Sequence, residues 1–155
     1  MVAMSASVAA QGTERWVAPD GDDAGPGTRA RPWRTLAKAA GEAGPGTTVY
    51  LASGTWRERL IPKRSGTAAA PVVFAAAPGA TPVLDGQNAG LAEDMAGVVH
   101  LEGLSWIEVR GLTVQNAGPG EVAAGILGKR CEHIVIRGCR TEGTASSGIG
   151  VWFSK

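Results

Sequence analysis

Between Val98 and Phe153 apolar and polar residues alternate in a pattern that is written twice and begun a third time. The first copy runs Val98-Val99-His100-Leu101-Glu102-Gly103, then Trp106-Ile107-Glu108-Val109-Arg110-Gly111-Leu112-Thr113-Val114. The second runs Gly125-Ile126-Leu127-Gly128-Lys129, then His133-Ile134-Val135-Ile136-Arg137-Gly138-Cys139-Arg140-Thr141. An offset of 27 residues carries Trp106 to His133, and with it Ile107 to Ile134, Val109 to Ile136, Arg110 to Arg137 and Gly111 to Gly138. A third unit opens at Gly148-Ile149-Gly150-Val151. Self-similarity at a fixed period of this size signals a solenoid, and period-two alternation of branched residues with glycine punctuation makes the strand its repeating element.

Upstream, Glu14 to Ala18 predicts a short strand, followed by a turn-forming run from Asp20 to Thr28. Residues 32–43 predict the one helix, with Pro32 suited to its first turn, Leu36, Ala39, Ala40 and Ala43 on one face, and Gly44-Pro45-Gly46 as its stop. Such a helix would cap the open first coil, whose exposed edge would otherwise template aggregation. Coils are expected from about residue 47, with strand-like pieces at Thr48–Leu51, Leu60–Pro62 and Val72–Ala76. Taking Val49, Val98, Ile126 and Ile149 as the first strands of successive coils gives steps of 49, 28 and 23 residues, the first containing an excursion through Asp85 and Asp94. Val72 then belongs to a third strand. The expected fold is an all-β solenoid, a single-stranded parallel β-helix of about four coils with an N-terminal capping α-helix, C-terminally truncated. Residues 13–155 are expected to form the N-terminal part of that β-helix domain, and residues 1–12 to lie outside it.

Composition narrows the function classes. Twenty-three Gly and nine Pro against two Phe and one Tyr fit many short elements joined by turns. A net charge of +1 leaves no electrostatic footprint for nucleic acid, and no apolar run approaches the ~18 residues of a membrane span. Residues 1–12 fit either a signal-peptide remnant or a disordered tail, since Ser7-Val8-Ala9 has cleavage-type spacing but no basic segment precedes it. Cys131 and Cys139 do not decide the compartment. Cys139 falls in register with Leu112 and is expected as a small buried hydrophobe.

From Trp16 to Gly86 the chain resembles the N-terminal region of right-handed parallel β-helix proteins of the pectate-lyase-like superfamily. The residues that carry this are Trp16-Val17-Ala18-Pro19-Asp20-Gly21-Asp22-Asp23, Pro26-Gly27-Thr28, Pro32-Trp33-Arg34-Thr35-Leu36, Gly46-Thr47-Thr48-Val49-Tyr50-Leu51, Gly54-Thr55-Trp56 and Pro82-Val83-Leu84-Asp85-Gly86. It is most similar to the family 9 pectate lyases and the domain-of-unknown-function group related to them, and also to the family 6 lyases. The resemblance implies a right-handed coil, residence outside the cytoplasm (secreted, periplasmic or at the cell surface) and an acidic polysaccharide as ligand. It also implies Ca²⁺ as a cofactor, with the catalytic residues on coils beyond residue 155. A monomer is expected for the full-length protein.

Strand alternation supplies candidate site residues independently. If Val99, Leu101, Ile126, Ile149 and Val151 face the core, His100, Leu127 and Gly150 form one outward row and Glu102, Lys129 and Trp152 the next. A lyase acting on uronic acids needs a base for the proton beside the carboxylate and a cation for the developing enediolate. Lys129 or His100 is the candidate base, Arg130 and Glu102 the candidate substrate-binding groups, and Trp152 a stacking surface. The plainer alternative is a cross-strand charge pair between Glu102 and Lys129, with His100 as an ordinary surface residue. Asp20, Asp22 and Asp23 are candidate calcium ligands or plain turn formers, as is Asp85, with or without Asp94. Arg110 and Arg137, each preceding a glycine, are expected to be structural. A non-catalytic carbohydrate-binding or surface scaffold, and a glycoside hydrolase or epimerase, remain open on the same fold.

Overall fold

The structure, a computed structural model, describes residues 12–91 and 95–155. The leader-like segment Met1 to Gln11, and Asp94, lie outside the described residues. Twelve strands and one helix follow in chain order: β1 (Thr13–Val17), α1 (Leu36–Glu42), β2 (Thr47–Leu51), β3 (Gly54–Trp56), β4 (Val72–Ala76), β5 (Pro82–Asp85) and β6 (Met95–Glu102), then β7 (Ser105–Arg110), β8 (Thr113–Gln115), β9 (Val122–Lys129), β10 (Glu132–Arg137), β11 (Arg140–Glu142) and β12 (Ile149–Trp152). They sort into three sheets: A in the order β1-β2-β4-β7-β10, B in the order β11-β8-β5-β3 and C in the order β12-β9-β6. Every pairing is parallel. From β4 on the chain passes A, B, C and returns to A one tier further on, which is the expected parallel β-helix of about four coils.

The repeat read from the sequence is the register of the coils. Ile134 pairs with Ile107, Ile136 with Val109 and Arg137 with Arg110. The corners are stacked as well, because the same left-handed backbone recurs tier upon tier. Gly103, Arg130 and Phe153 have φ of 64°, 52° and 52° beyond sheet C, and Asn116 and Gly143 have 57° and 60° beyond sheet B. Trp106 and His133 share that conformation at the start of their sheet A strands (58° and 53°), and their rings stack 3.9 Å apart. Inside, Val49, Phe74 and Val109 stand over one another, as do Val99 and Ile126, in one continuous apolar core. Cys131 is buried and Cys139 half-buried against this core, and both are free thiols. On β12, Ile149 and Val151 sit in register over Ile126 and Gly128 and are 47% and 59% exposed.

Two expectations are corrected. Val49 does not start a series with Val98, Ile126 and Ile149: it lies in sheet A, while the other three belong to sheet C. Val72 shares sheet A with it, since Thr48 pairs with Val73, and the long excursion falls instead between β4 and β7, where Val72 pairs with Ile107, 35 residues on. The helix begins at Leu36 rather than Pro32. Trp33 is drawn alongside β1, donating its N–H to Trp16 O and accepting from Ala18 N–H, so the chain stays extended there. Thr35 then caps α1 by accepting from Lys38 N–H, and the Glu58 carboxylate receives the Leu36 and Ala37 N–H groups. A carboxylate at a helix N-terminus satisfies orphan donors and complements the dipole. Leu36, Ala39 and Ala40 bury their side chains in the core, as the capping expectation required. Among the described residues no helix is long and apolar enough to cross a membrane.

Candidate functional site

Sheet C stacks the expected outward rows. His100 is in register with Leu127 and Leu127 with Gly150, while Glu102 is in register with Lys129 and Lys129 with Trp152. The second row carries the chemistry. Glu102 Oε1 lies 3.1 Å from Lys129 Nζ and 3.5 Å from Arg130 Nη1, and Glu102 Oε2 lies 3.2 Å from His100 Nε2. One carboxylate is thus shared among two fixed cations and an imidazole. Hydrogen bonds from Lys129 and then His100 hold the Glu102 carboxyl below the usual carboxylate range. The group carries one negative and two positive charges, so a net positive spot remains on the sheet face.

His100 is not the surface residue that strand alternation implies. It is 6% exposed. The segment around Leu60 adds a further parallel contact beside β6, with Leu60 N–H donating to Val98 O and His100 N–H to Leu60 O. The Gly97 N–H donates to His100 Nδ1 at 3.3 Å. With Nδ1 accepting, Nε2 carries the proton and donates it to Glu102, so both ring nitrogens are engaged. Leu127, in the same outward row, is completely buried. A Cβ on Gly150 would lie 2.9 Å from Trp152 Nε1 and 3.4 Å from Leu127 Cδ1, so the indole and Leu127 both close in on the space above that glycine. Trp152 keeps 40% of its surface exposed.

Among the described residues the acidic candidates Asp22, Asp23 and Asp85 accept hydrogen bonds within their own turns and corners. Asp22 Oδ1 accepts from Ala24 N–H, and Asp23 accepts from the Arg34 and Thr35 N–H groups and the Thr35 hydroxyl. Burial raises the Asp23 pKa, but those hydrogen bonds outweigh it and the net direction is downward. Asp85 accepts from Gln87 N–H, Asn116 Nδ2 and Gln115 Nε2, and these bonds, Asn116 first, lower its pKa. These carboxylates are committed to turns and corners, and among the described residues no group of three or more His, Cys, Asp or Glu converges on one point. A carboxylate held below its ordinary pKa stabilises the fold above the unfolded value, and that contribution is lost as pH falls through the folded value. The thermal midpoint is accordingly expected to fall on acidification below about pH 4. Asp85→Asn should show a shallower acid limb in a melt series than the parent chain.

A second ensemble escaped sequence reading. Arg110 and Arg137, expected to be structural, stand on the outer face of sheet A in a row with Trp16 and Tyr50, and the Glu108 carboxylate bridges them. The recurrence of Arg before Gly at the 27-residue offset was the one available signal.

Residues 15–154 match the family described as Pel9A-like, right handed beta helix region. The chain is 32% identical over 126 residues to the uncharacterised protein YwoF of Bacillus subtilis, and 28% identical over 150 residues to pectate lyase PEL9 of Emericella nidulans. These alignments take in 79% and 86% of this chain but only 27% and 37% of the relatives' lengths. Among solved structures, a GH136 lacto-N-biosidase from Eubacterium ramulus superposes with a TM-score of 0.71 over 87% of this chain and 28% of its own. A rhamnogalacturonan lyase gives 0.64 over 88% and 43%, and pectate lyase Pel9A gives 0.57 over 86% and 35%. At 17–18% identity these matches establish the right-handed β-helix and nothing of the chemistry.

Proposed function

Because the chain belongs to the Pel9A-like right-handed β-helix family, we propose that it is part of a secreted or cell-surface protein that cleaves an acidic polysaccharide, such as pectate, by β-elimination. The observation that carries the reading is the sheet C row of Glu102, Lys129 and Trp152 with Arg130 at its corner. An incoming uronate carboxylate would take the place of Glu102 at Arg130, the guanidinium gripping it through paired donors, and would leave Lys129 beside it to act as the base in its neutral form. Trp152 would carry a sugar ring. Abstraction of the proton beside that carboxylate needs a base, for which Lys129 is better placed than His100, whose nitrogens are both engaged. In this reading most catalytic groups lie on further coils of a longer protein, which the relatives' greater lengths support.

The second reading is a non-catalytic carbohydrate-binding scaffold. It is favoured by the closeness of Glu102 to both cations, an arrangement that is complete without a substrate.

A lyase acting on uronides leaves an unsaturated product that absorbs in the ultraviolet. Incubation of the longer protein with polygalacturonate, alginate and chondroitin-type chains is expected to raise that absorbance with one of them, and Lys129→Gln to cut the rate about a hundredfold or more, the usual scale for losing an acid–base group. The 155-residue chain alone is expected to bind without forming product. Absence of unsaturated product, of new reducing ends and of epimerised residues from the longer protein on all three polymers, with binding retained, would support the scaffold instead.

A further inference from the structure

The outer face of sheet A carries its own organised row. Register along the five strands aligns Trp16, Tyr50, Ala75, Arg110 and Arg137. At one end the Trp16 and Tyr50 rings lie 4.9 Å apart, with the Arg29 guanidinium 5.1 Å from the Trp16 ring. At the other, Glu108 Oε2 receives Arg110 Nη2 at 2.5 Å while Glu108 Oε1 faces Arg137 Nη2 at 3.2 Å. Glu108 is buried, whereas the side chains of Arg110 and Arg137 are 47% and 70% exposed.

A buried carboxylate therefore fixes two guanidiniums from successive coils and neutralises only one of them. Each guanidinium has five N–H donors in a rigid fork, more than Glu108 can accept, so donors remain for an anion from solvent. The strand spacing sets the two forks about 4.8 Å apart along the helix axis. Ala75 is short, so the row is low between its aromatic and cationic ends. The Arg110 pKa is raised by its hydrogen bond to Glu108. A straight track with aromatic faces at one end and regularly spaced cationic forks at the other is complementary to an extended chain of sugar rings bearing carboxylates.

We infer that the outer face of sheet A is an accessory binding surface for a uronic-acid polysaccharide, with Arg110 and Arg137 gripping carboxylates and Tyr50 and Trp16 supporting ring faces. The inference rests on the acidic-polysaccharide reading above but uses a different sheet, so the two separate by mutation. Binding of the 155-residue chain to polygalacturonate is measured by affinity electrophoresis at low salt, with dextran as the neutral control and dextran sulfate as the sulfated one. In a Lys129→Gln/Arg130→Gln background, Arg110→Gln/Arg137→Gln is expected to weaken binding roughly tenfold, the scale of one charge-assisted contact. Arg137→Gln alone, at an exposed position that folding tolerates, should weaken it severalfold, and melting curves verify each fold. If the sheet A substitutions change nothing while Lys129→Gln/Arg130→Gln abolishes binding, the accessory surface is overturned and the sheet C reading stands. If only the sheet A substitutions matter, the inference stands and the sheet C reading falls. No polygalacturonate binding by the parent chain overturns both, and tighter binding to dextran sulfate overturns the assignment to uronates.

Discussion

Truncating Phe74 to alanine will lower the stability of the chain by about 3–5 kcal/mol, the range for emptying a large buried site. Phe74 is completely buried in the middle of β4, with Val49 before it and Val109 after it in the same inward row. Removing the ring opens a void between two tiers rather than at a surface, and the parallel backbones on either side cannot close it without breaking their own hydrogen bonds. The comparison is Ile136→Ala. Ile136 occupies the same row on the last coil but is only half-buried, so its loss should cost about 1 kcal/mol, well below the cost of truncating a fully buried side chain. Denaturant titration followed by far-ultraviolet circular dichroism measures both. Equal costs at the two positions would mean that the central tiers are not packed as the register describes.

Replacing Gly21 with alanine is expected to cost about 2–3 kcal/mol, the upper part of the range for forcing atoms into filled space. An added Cβ would lie 2.2 Å from Trp33 O and 2.6 Å from Pro32 O, both backbone atoms that cannot rotate aside. The crossing is fixed from several directions: Gly21 N–H donates to Ala18 O, Asp22 N–H to Pro32 O, and Arg34 Nε to Gly21 O. Opening it would pull Trp33 from β1 and Thr35 from its capping position. Gly41→Ala is the control, because nothing lies within 4 Å of a Cβ there and the residue is in α1. That substitution should be neutral or stabilising by up to about 1 kcal/mol. A Gly21→Ala chain with an unchanged denaturation midpoint would show that the β1–α1 loop is not closed in this way.

These two sites also mark how far the residues announce the structure. The run Asp20-Gly21-Asp22-Asp23 is recognisable as turn chemistry, and Asp22 and Asp23 do serve their own loop and the helix cap. The reason for glycine at position 21 is a carbonyl 12 residues away, and no local pattern displays that. The helix start was misjudged for the same kind of reason. Pro32 suits a first helical turn, but the bonds from Trp33 to β1 win over local propensity. His100 alternates correctly onto the outward face, yet the Leu60 segment beside β6 removes it from water.

Where the coil length is constant, the spacing of residues settled the outcome. At the 27-residue offset identical spacing forces identical register, so the stacking of Ile107 under Ile134 and the row of Glu102 with Lys129 followed from periodicity alone. Where the loops vary, it could not. Steps of 25 residues from Thr48 to Val73 and 35 from Val72 to Ile107 erase the period, and only closure of the backbone into tiers assigns Val49 to sheet A. The same closure aligns Trp16 and Tyr50 with Arg110 and Arg137, residues that no shared spacing connects, because hydrogen bonding between parallel strands fixes which side chains become neighbours regardless of how much chain lies between them.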